Sequence, residues 1–600
     1  MSFTGLWGEP AGFRRAGLAG MAAACLLLLF GCEPLNMPLP QGALDLPGVQ
    51  TISGSGSFSY SVDTGTSARD VYFIFSNTST STNLAGSSVG VANGQLMVDD
   101  NSLPVPAPLC LPTLGGGENA LMREVGTFNR QALSANIRSR DLASPSFAQV
   151  TSPAASDVAG STASFYSIKM LSETSTAYPN LASTCRLVRT VTDSDGLPRS
   201  VSIWVENARW TSGGDGTITQ AMVDALADRF LKTPNNTEDI YHWGTALLGE
   251  PWGATSFDSL IKWDSKRTIT IFLANLNEPV LYTPGHSFAV GFFWAYNNFA
   301  PSMASNSNQR IMFYLDANTY AAKLSTETAW SLSNYWPEVV VSTLGHEFQH
   351  MIQFYQKSIL ARGDGEPASA WLDEMCSLLM EDLLSEKLGV PGPRGVAASD
   401  GTAGTPHNTD GRIPDFNKTT SLDWYIDSSA DFGIDAYSQA YMLGAWLIRN
   451  FGGATMLRKI VHSPDTDQAA ILSAISGQPG APDSFSDLIG QWAASVLLSD
   501  RTIVAAGTRY NYGGWFPPTA TTEHPEVQFK LGSINAFNYD YQAGGGYATG
   551  PSAYQPGASL PSGAFYRASN VYCKAASGLA GKKTWKLKVP EGVVTTVVLK

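Results

Sequence analysis

The chain has 600 residues, a formal net charge of −13 and only 15% charged side chains, and 57 glycines and 34 prolines interrupt it often. That length suits about three folding units with a large buried core, and low charge with abundant Ser, Thr, Gly and Pro suits an exported protein rich in strands and loops. A negative balance of this size argues against nucleic acid as a partner.

Arg14 and Arg15 precede an apolar run from Leu18 to Phe30 that is too short to span a bilayer comfortably, so residues 1–31 read as an export signal. Leu29-Phe30-Gly31-Cys32 resembles a bacterial lipobox, with Phe30 where a small residue is usual. That resemblance implies that Cys32 becomes a lipidated N-terminus holding the protein to a membrane; an ordinary cleaved secretory signal is the alternative. No later stretch has the roughly 18 uninterrupted apolar residues of a membrane span. Beyond Cys25 and Cys32 the chain carries Cys110, Cys185, Cys376 and Cys573. Export permits disulfides, Cys110 with Cys185 is the favoured pair, and Cys376 reads as a buried apolar residue.

Residues 32–49, with Pro34, Pro38, Pro40 and Pro47, read as an extended tether. Alternating segments over 50–135 read as a β-sandwich, either a carbohydrate- or protein-binding module or, the favoured reading, a structural spacer. Residues 136–180 are rich in Ser, Ala and Pro and read as a connecting region. Strands return at 185–191 and 200–205, forming a hairpin across Asp193-Ser194-Asp195-Gly196, a turn too short for an EF-hand loop. A helix is expected near 219–231, with Met222, Val223, Leu226 and Phe230 inward, then strands at 268–273 and 309–315. The second of these strands is expected to form the edge of a cleft, where an extended peptide could add as a further strand.

The densest chemistry lies at His346-Glu347-Phe348-Gln349-His350. Pro337 suits a first helical turn, and Val340, Leu344, Phe348, Ile352 and Tyr355 recur at helical spacing. Two histidines four apart then stand one turn above each other, where both imidazoles can reach one zinc at about 2.0–2.1 Å. Neutral imidazoles leave zinc positively charged, water bound to it ionises near neutral pH, and a neighbouring carboxylate can take the proton. Glu347 is that candidate base, and the pattern points to metal-assisted hydrolysis. A catalytic zinc takes three protein ligands and keeps one position open. Trp371-Leu372-Asp373-Glu374-Met375-Cys376-Ser377 offers the third ligand on the next helix. Glu374 is preferred, Asp373 comes second, and Glu381 and Asp382 are further competitors that otherwise read as solvated or supporting carboxylates.

With Gly249-Glu250-Pro251-Trp252-Gly253 upstream, the stretches from His346 to Ile352 and from Trp371 to Glu374 resemble the hyicolysin family of secreted bacterial zinc metallopeptidases. That family lies within the gluzincins, which are similar to thermolysin in using two His and a Glu as ligands. The resemblance implies zinc at His346, His350 and Glu374, with Glu347 as the catalytic acid/base. Asp373 and Met375 stand where the family usually has Asn and a small residue.

Helices are expected over 437–453 and 485–498, and the resemblance implies that they close the cleft from below. Tyr437, then Tyr441, could donate a hydroxyl to a developing oxyanion, or either could be a core aromatic. His242, His286, His407, His462 and His524 lack partners at ligand spacing. The last strands, 584–589 and 593–599, suggest a small C-terminal β-domain over 521–600. The expected architecture is α+β: a zincin-like metallopeptidase domain over 181–520, with a β-containing upper half and a helical lower half, flanked by the two β-domains. The expected function is an exported, lipid-anchored zinc endopeptidase acting on extended polypeptide. A surface adhesin or binding lipoprotein retaining that scaffold is the alternative, and the intact Glu347 argues against it, since a structural site has no use for a base beside its ligands.

Overall fold

The β-branched and aromatic segments between residues 162 and 316 pair into one six-stranded sheet, made of β1 (Thr162–Tyr166), β2 (Asn180–Thr192), β3 (Pro198–Glu206), β4 (Thr268–Ala274), β5 (Gly291–Phe293) and β6 (Met312–Asp316). The structure is a computed structural model. It describes residues 48–600 apart from 53, 94–120, 122–123, 126–127, 130–156, 173, 194, 211–216, 234–237, 256, 258, 262–267, 279–287, 364–366, 398–402, 426–433, 501–509, 514–517, 544 and 558–563. The export signal, most of the tether, Cys32 and Cys110 therefore lie outside the described residues.

The strand order is β5-β6-β4-β3-β2-β1, with β3, β4 and β6 parallel and β5 antiparallel to β6. The expected hairpin is β2 against β3. The strand expected at the cleft edge, 309–315, is instead internal: β6 has β4 on one side and β5 on the other, and β5 takes the edge. Three residues are too few to register as an alternating pattern in sequence. Successive residues face opposite sides of the sheet, so Ile203, Ile271 and Phe313 point into one buried cluster and Trp204, Phe272 and Tyr314 into another. Cys185 belongs to the second cluster. It is a buried free thiol, as are Cys376 and Cys573.

The first cluster is completed by helices: α1 (Gln220–Phe230), α2 (Ile240–Leu248), α3 (Tyr335–Gln353), α4 (Ala370–Leu388), α5 (Ile434–Asn450), α6 (Gly453–Val461) and α7 (Phe485–Leu497). Thr219 and Asp239 cap α1 and α2 by accepting backbone N–H groups of Met222 and His242. The four residues expected inward on α1 are all buried. Helix α3 lies against β5 and β6, α4 packs on α3, and α5 packs on α4. Gly244 lets α2 sit directly on α3, because a Cβ there would come within 2.7 Å of the Phe348 ring. None of the described helices is long and apolar enough to cross a membrane.

Strands from the two ends of the chain interleave. One sheet runs Val49–Ile52, Val593–Leu599, Arg69–Asn77, Ser569–Leu579, Ala553–Tyr554, and a second runs Gly56–Asp63, Lys582–Val589, Gly90–Asn93. The Phe73 ring of the first lies 5.4 Å from Trp585 of the second, so the two sheets face each other. In place of a β-sandwich confined to 50–135 and a separate C-terminal β-domain over 521–600, both sheets draw on both segments. Local alternation identifies strands but not partners that lie nearly a whole chain apart. Within the same N-terminal span, Leu121, Glu124, Val125, Phe128 and Asn129 are helical, and within the expected connecting region 162–166 is strand β1.

Candidate metal centre

Helix α3 carries His346 and His350 one turn apart, their ring centroids separated by 4.8 Å. Glu374 enters from α4. Its Oε2 lies 3.2 Å from His346 Nε2 and 3.6 Å from His350 Nε2. One ligand atom from each of the three residues falls within 4.8 Å of the others, the only such His/Cys/Asp/Glu grouping among the described residues.

The other imidazole nitrogens are backed by carboxylates. His346 Nδ1 lies 2.8 Å from Glu381 Oε1, and Ser342 donates to Glu381 Oε2 at 2.6 Å. His350 Nδ1 lies 3.1 Å from Asp373 Oδ1 and 3.2 Å from Ser377 Oγ, and Gln353 donates to the same Asp373 oxygen at 2.7 Å. Gln349 donates to Gln353, and Ser377 donates to Gln349, so the chain of polar groups between the helices is continuous. Such partners fix ring orientation and aim each Nε2 at a shared point. The competitors of Glu374 thus have separate places: Asp373 and Glu381 stand behind the histidines. Asp382 is turned away, in a buried 2.9 Å ion pair with Arg449 and within 3.2 Å of the Tyr441 hydroxyl.

Burial alone would push both imidazoles down, but the carboxylates outweigh it. Contacts with Glu374 and Glu381 raise His346 to about 9, and Asp373 and Glu374 hold His350 well above its ordinary value. Burial would raise Glu374, yet His350 and His346 keep it well below the usual carboxylate range. Glu347 is 3% exposed, and desolvation raises its pKa against the opposing pull of the two histidines. Its Oε2 accepts the backbone N–H of Phe293, on edge strand β5, at 2.7 Å.

Helix α3 continues into a π-helical turn, Phe354–Ala361, against which the Gly249 to Gly253 turn is built. Gln356 donates to the Glu250 carbonyl at 2.7 Å, Tyr355 donates to the Ala254 carbonyl at 2.9 Å, and Trp252 stacks on Phe354. Gly253 leaves room for Tyr355, whose hydroxyl would lie 2.4 Å from an added Cβ. The turn therefore braces the helix that carries the histidines.

Tyr437 is half-buried near the start of α5, with the Arg412 guanidinium 5.4 Å from its ring centroid, and Arg412 acts electrostatically on Glu381. The runner-up, Tyr441, is fully buried and engaged with Asp382, which leaves its hydroxyl in the helix core. The residues sequence reasoning passed over are the Phe293 amide and the polar chain through Ser342, Gln349, Gln353 and Ser377. The second had a readable signal: Asp373, Ser377 and Glu381 recur every four residues along one face of α4. The first had none, because a main-chain group carries no mark in the sequence.

A family model described as Peptidase M30, the hyicolysin family, matches residues 180–513. No curated protein sequence matches the chain. Among solved structures, an M1 zinc metallopeptidase point mutant from Deinococcus radiodurans overlaps at 12% identity and a TM-score of 0.27, covering 58% of this chain and 64% of that one. The same kind of mutant with a Tyr-Ser-Ala substrate gives 13% identity, a TM-score of 0.25 and coverage of 58% and 63%. A two-domain M1 zinc metallopeptidase mutant bound to L-arginine gives 12%, 0.27, and 58% and 63%. This chain spans a little under two thirds of the length of those enzymes, and overlaps this shallow do not establish a common fold.

Proposed function

The chain belongs to the peptidase M30 family of metallopeptidases, and from that premise we propose that it is an exported zinc endopeptidase, lipid-anchored through Cys32, that cleaves extended polypeptide in a zincin-like cleft. The observation that carries this reading is the convergence of His346, His350 and Glu374 beside Glu347, with a carboxylate behind each imidazole. Two imidazole nitrogens and one carboxylate oxygen form the donor set of a catalytic zinc site with a position left open, and the carboxylate hydrogen-bonded behind each ring fits the same group. Zinc held there would supply Lewis acidity toward the scissile carbonyl and toward water.

The remaining chemistry belongs to the chain's own residues. Glu347 takes a proton from the attacking water and delivers it to the leaving amine, and its desolvated carboxylate is the stronger base for it. The Phe293 N–H fixes which way that carboxylate points. Tyr437 is the proposed hydroxyl donor to the oxyanion. The substrate lies along β5, pairing its backbone with the open edge of the sheet.

The test is hydrolysis of an unstructured protein by the purified full chain, by Glu347→Gln and by a chelated sample, with zinc content determined for each. Cleavage that disappears in the variant at equal zinc content is the expected result. A zinc-loaded wild type that cleaves neither this protein nor peptides derived from it would overturn the reading.

A further inference from the structure

The open edge of the sheet is partly filled by the chain itself. In the antiparallel pair β5–β6, Asp316 N–H donates to Val290 C=O, and Phe292 lies opposite Tyr314 two residues on. Antiparallel bonding alternates, so Val290 and Phe292 face β6 while Gly291 and Phe293 turn their backbone groups outward. Both outward groups of Phe293 are taken. Its N–H goes to Glu347, and its C=O accepts Asn129 Nδ2 at 2.8 Å. Asn129 Oδ1 in turn accepts the Ala295 N–H at 2.7 Å. One carboxamide thus satisfies a C=O and an N–H two residues apart, as one residue of an added parallel strand would.

This occupant is firmly held. Leu121, Val125 and Phe128 lie on the same helical stripe as Asn129; Leu121 and Val125 are buried in the cluster that holds Trp204, Phe272 and Tyr314, and Thr176 donates to Glu124 at 2.6 Å. The Phe128 ring packs edge-on against Trp294, Tyr296 and Phe299, at 6.1, 4.9 and 5.8 Å between centroids. Burial of Leu121 and Val125 and partial burial of Phe128 make spontaneous release costly. Asn129 therefore marks a boundary in the cleft and not a passing contact.

We infer that Asn129 is a specificity-determining residue: its carboxamide occupies the strand-pairing slot opposite Phe293 and Ala295 and so ends the edge along which a peptide can pair. Substrate backbone pairs on the Gly291 side and stops at the residue whose N–H holds Glu347. The enzyme consequently reads few residues on one side of the scissile bond. This inference rests on the peptidase reading above.

The experiment uses the zinc-loaded full chain and a peptide series lengthened one residue at a time from either end of a cleaved core. In the wild type, kcat/KM stops rising at a shorter length on one side than on the other. Asn129→Ala reopens two backbone partners on that side, and the ratio of kcat/KM for long over short peptides there rises about tenfold. Asn129→Asp is a second, isosteric variant that cannot donate to the Phe293 carbonyl and shifts the ratio in the same direction. Amide exchange at Ala295 reports the contact directly and quickens in Asn129→Ala. An unchanged ratio with a faster Ala295 amide overturns the inference, as does an unchanged Ala295 amide. Equal loss at every length also overturns it and makes Asn129 a brace for β5. If the zinc-loaded wild type cleaves no peptide of the series, the peptidase reading itself fails, and this inference with it.

Discussion

The Phe293 N–H and the Glu347 carboxylate, 2.7 Å apart, tie the edge of the sheet to the residue proposed as acid/base, so displacing one displaces the other. Gly291, two residues earlier, makes this closeness possible. A Cβ there would lie 2.8 Å from the Tyr314 carbonyl and 3.0 Å from Thr343 on α3. Gly291→Ala is expected to push β5 off the helix and lower kcat on the order of a hundredfold, with zinc content unchanged. Steady-state kinetics beside metal analysis checks this, and a variant that keeps full kcat would show that the bond does not position Glu347.

Glu381 bonds His346 Nδ1 and takes a hydrogen bond from Ser342, yet it is not a proposed ligand. Removing such a partner typically weakens metal affinity about 10–100-fold. Glu381→Ala should therefore keep zinc at high concentration and lose it to a chelator sooner than the wild type does. Were Glu381→Ala to hold zinc as tightly as wild type in a competition titration, the supporting role would be wrong.

The two imidazoles set a pH dependence with a definite sign. His346 is raised to about 9 by Glu374 and Glu381 against the effect of burial, and His350 is raised as well. A raised folded-state value contributes stability that is fully present below about 6.5 and is lost as pH climbs through the folded value. The melting temperature of the chelated chain should fall between pH 6.5 and 8. Above that range Lys357, lowered to about 8 mainly by burial, contributes in the opposite direction. Zinc competes for the same nitrogens, so loading at pH 7 should release about two protons, measurable by calorimetry in buffers of different ionisation enthalpy. Release of none would place the metal elsewhere.

Asp382 and Arg449 form an ion pair at 2.9 Å with both side chains almost wholly buried. Removing one partner strands the other's charge in the core, at a cost of about 3–5 kcal/mol. Arg449→Met should lower the denaturant midpoint accordingly, and adding Asp382→Leu should restore part of the loss. A single variant as stable as wild type would mean that water reaches the pair.

What the sequence displayed about the site was its helices. The i, i+4 spacing of His346 and His350 and the position of Glu374 on the following helical run are local patterns, and local patterns survive in one dimension. The sorting of Asp373, Glu381 and Asp382 needed the facing helix, because all three are simply carboxylates until α3 and α5 show which of them meets a histidine and which meets Arg449. The edge strand escaped because three residues carry no period, and Asn129 escaped because it lies outside every chemical motif and acts through a backbone two elements away. The shared terminal sheets escaped for a different reason: alternation announces a strand and says nothing of its partner.

Those sheets also order the events of folding. Val593–Leu599 inserts between Val49–Ile52 and Arg69–Asn77, with Val49 opposite Val598. Among the described residues the strands over 49–77 find their partners only in strands over 569–599, and pairing at such sequence separation is slow. Among the described residues Tyr572 of this sheet also donates to the Ala493 carbonyl on α7, so the late closure reaches the helical half of the molecule. Deleting Val593–Leu599 would therefore strip a neighbour from Val49–Ile52 and from Arg69–Asn77 at once and leave their backbone groups exposed as sheet edges.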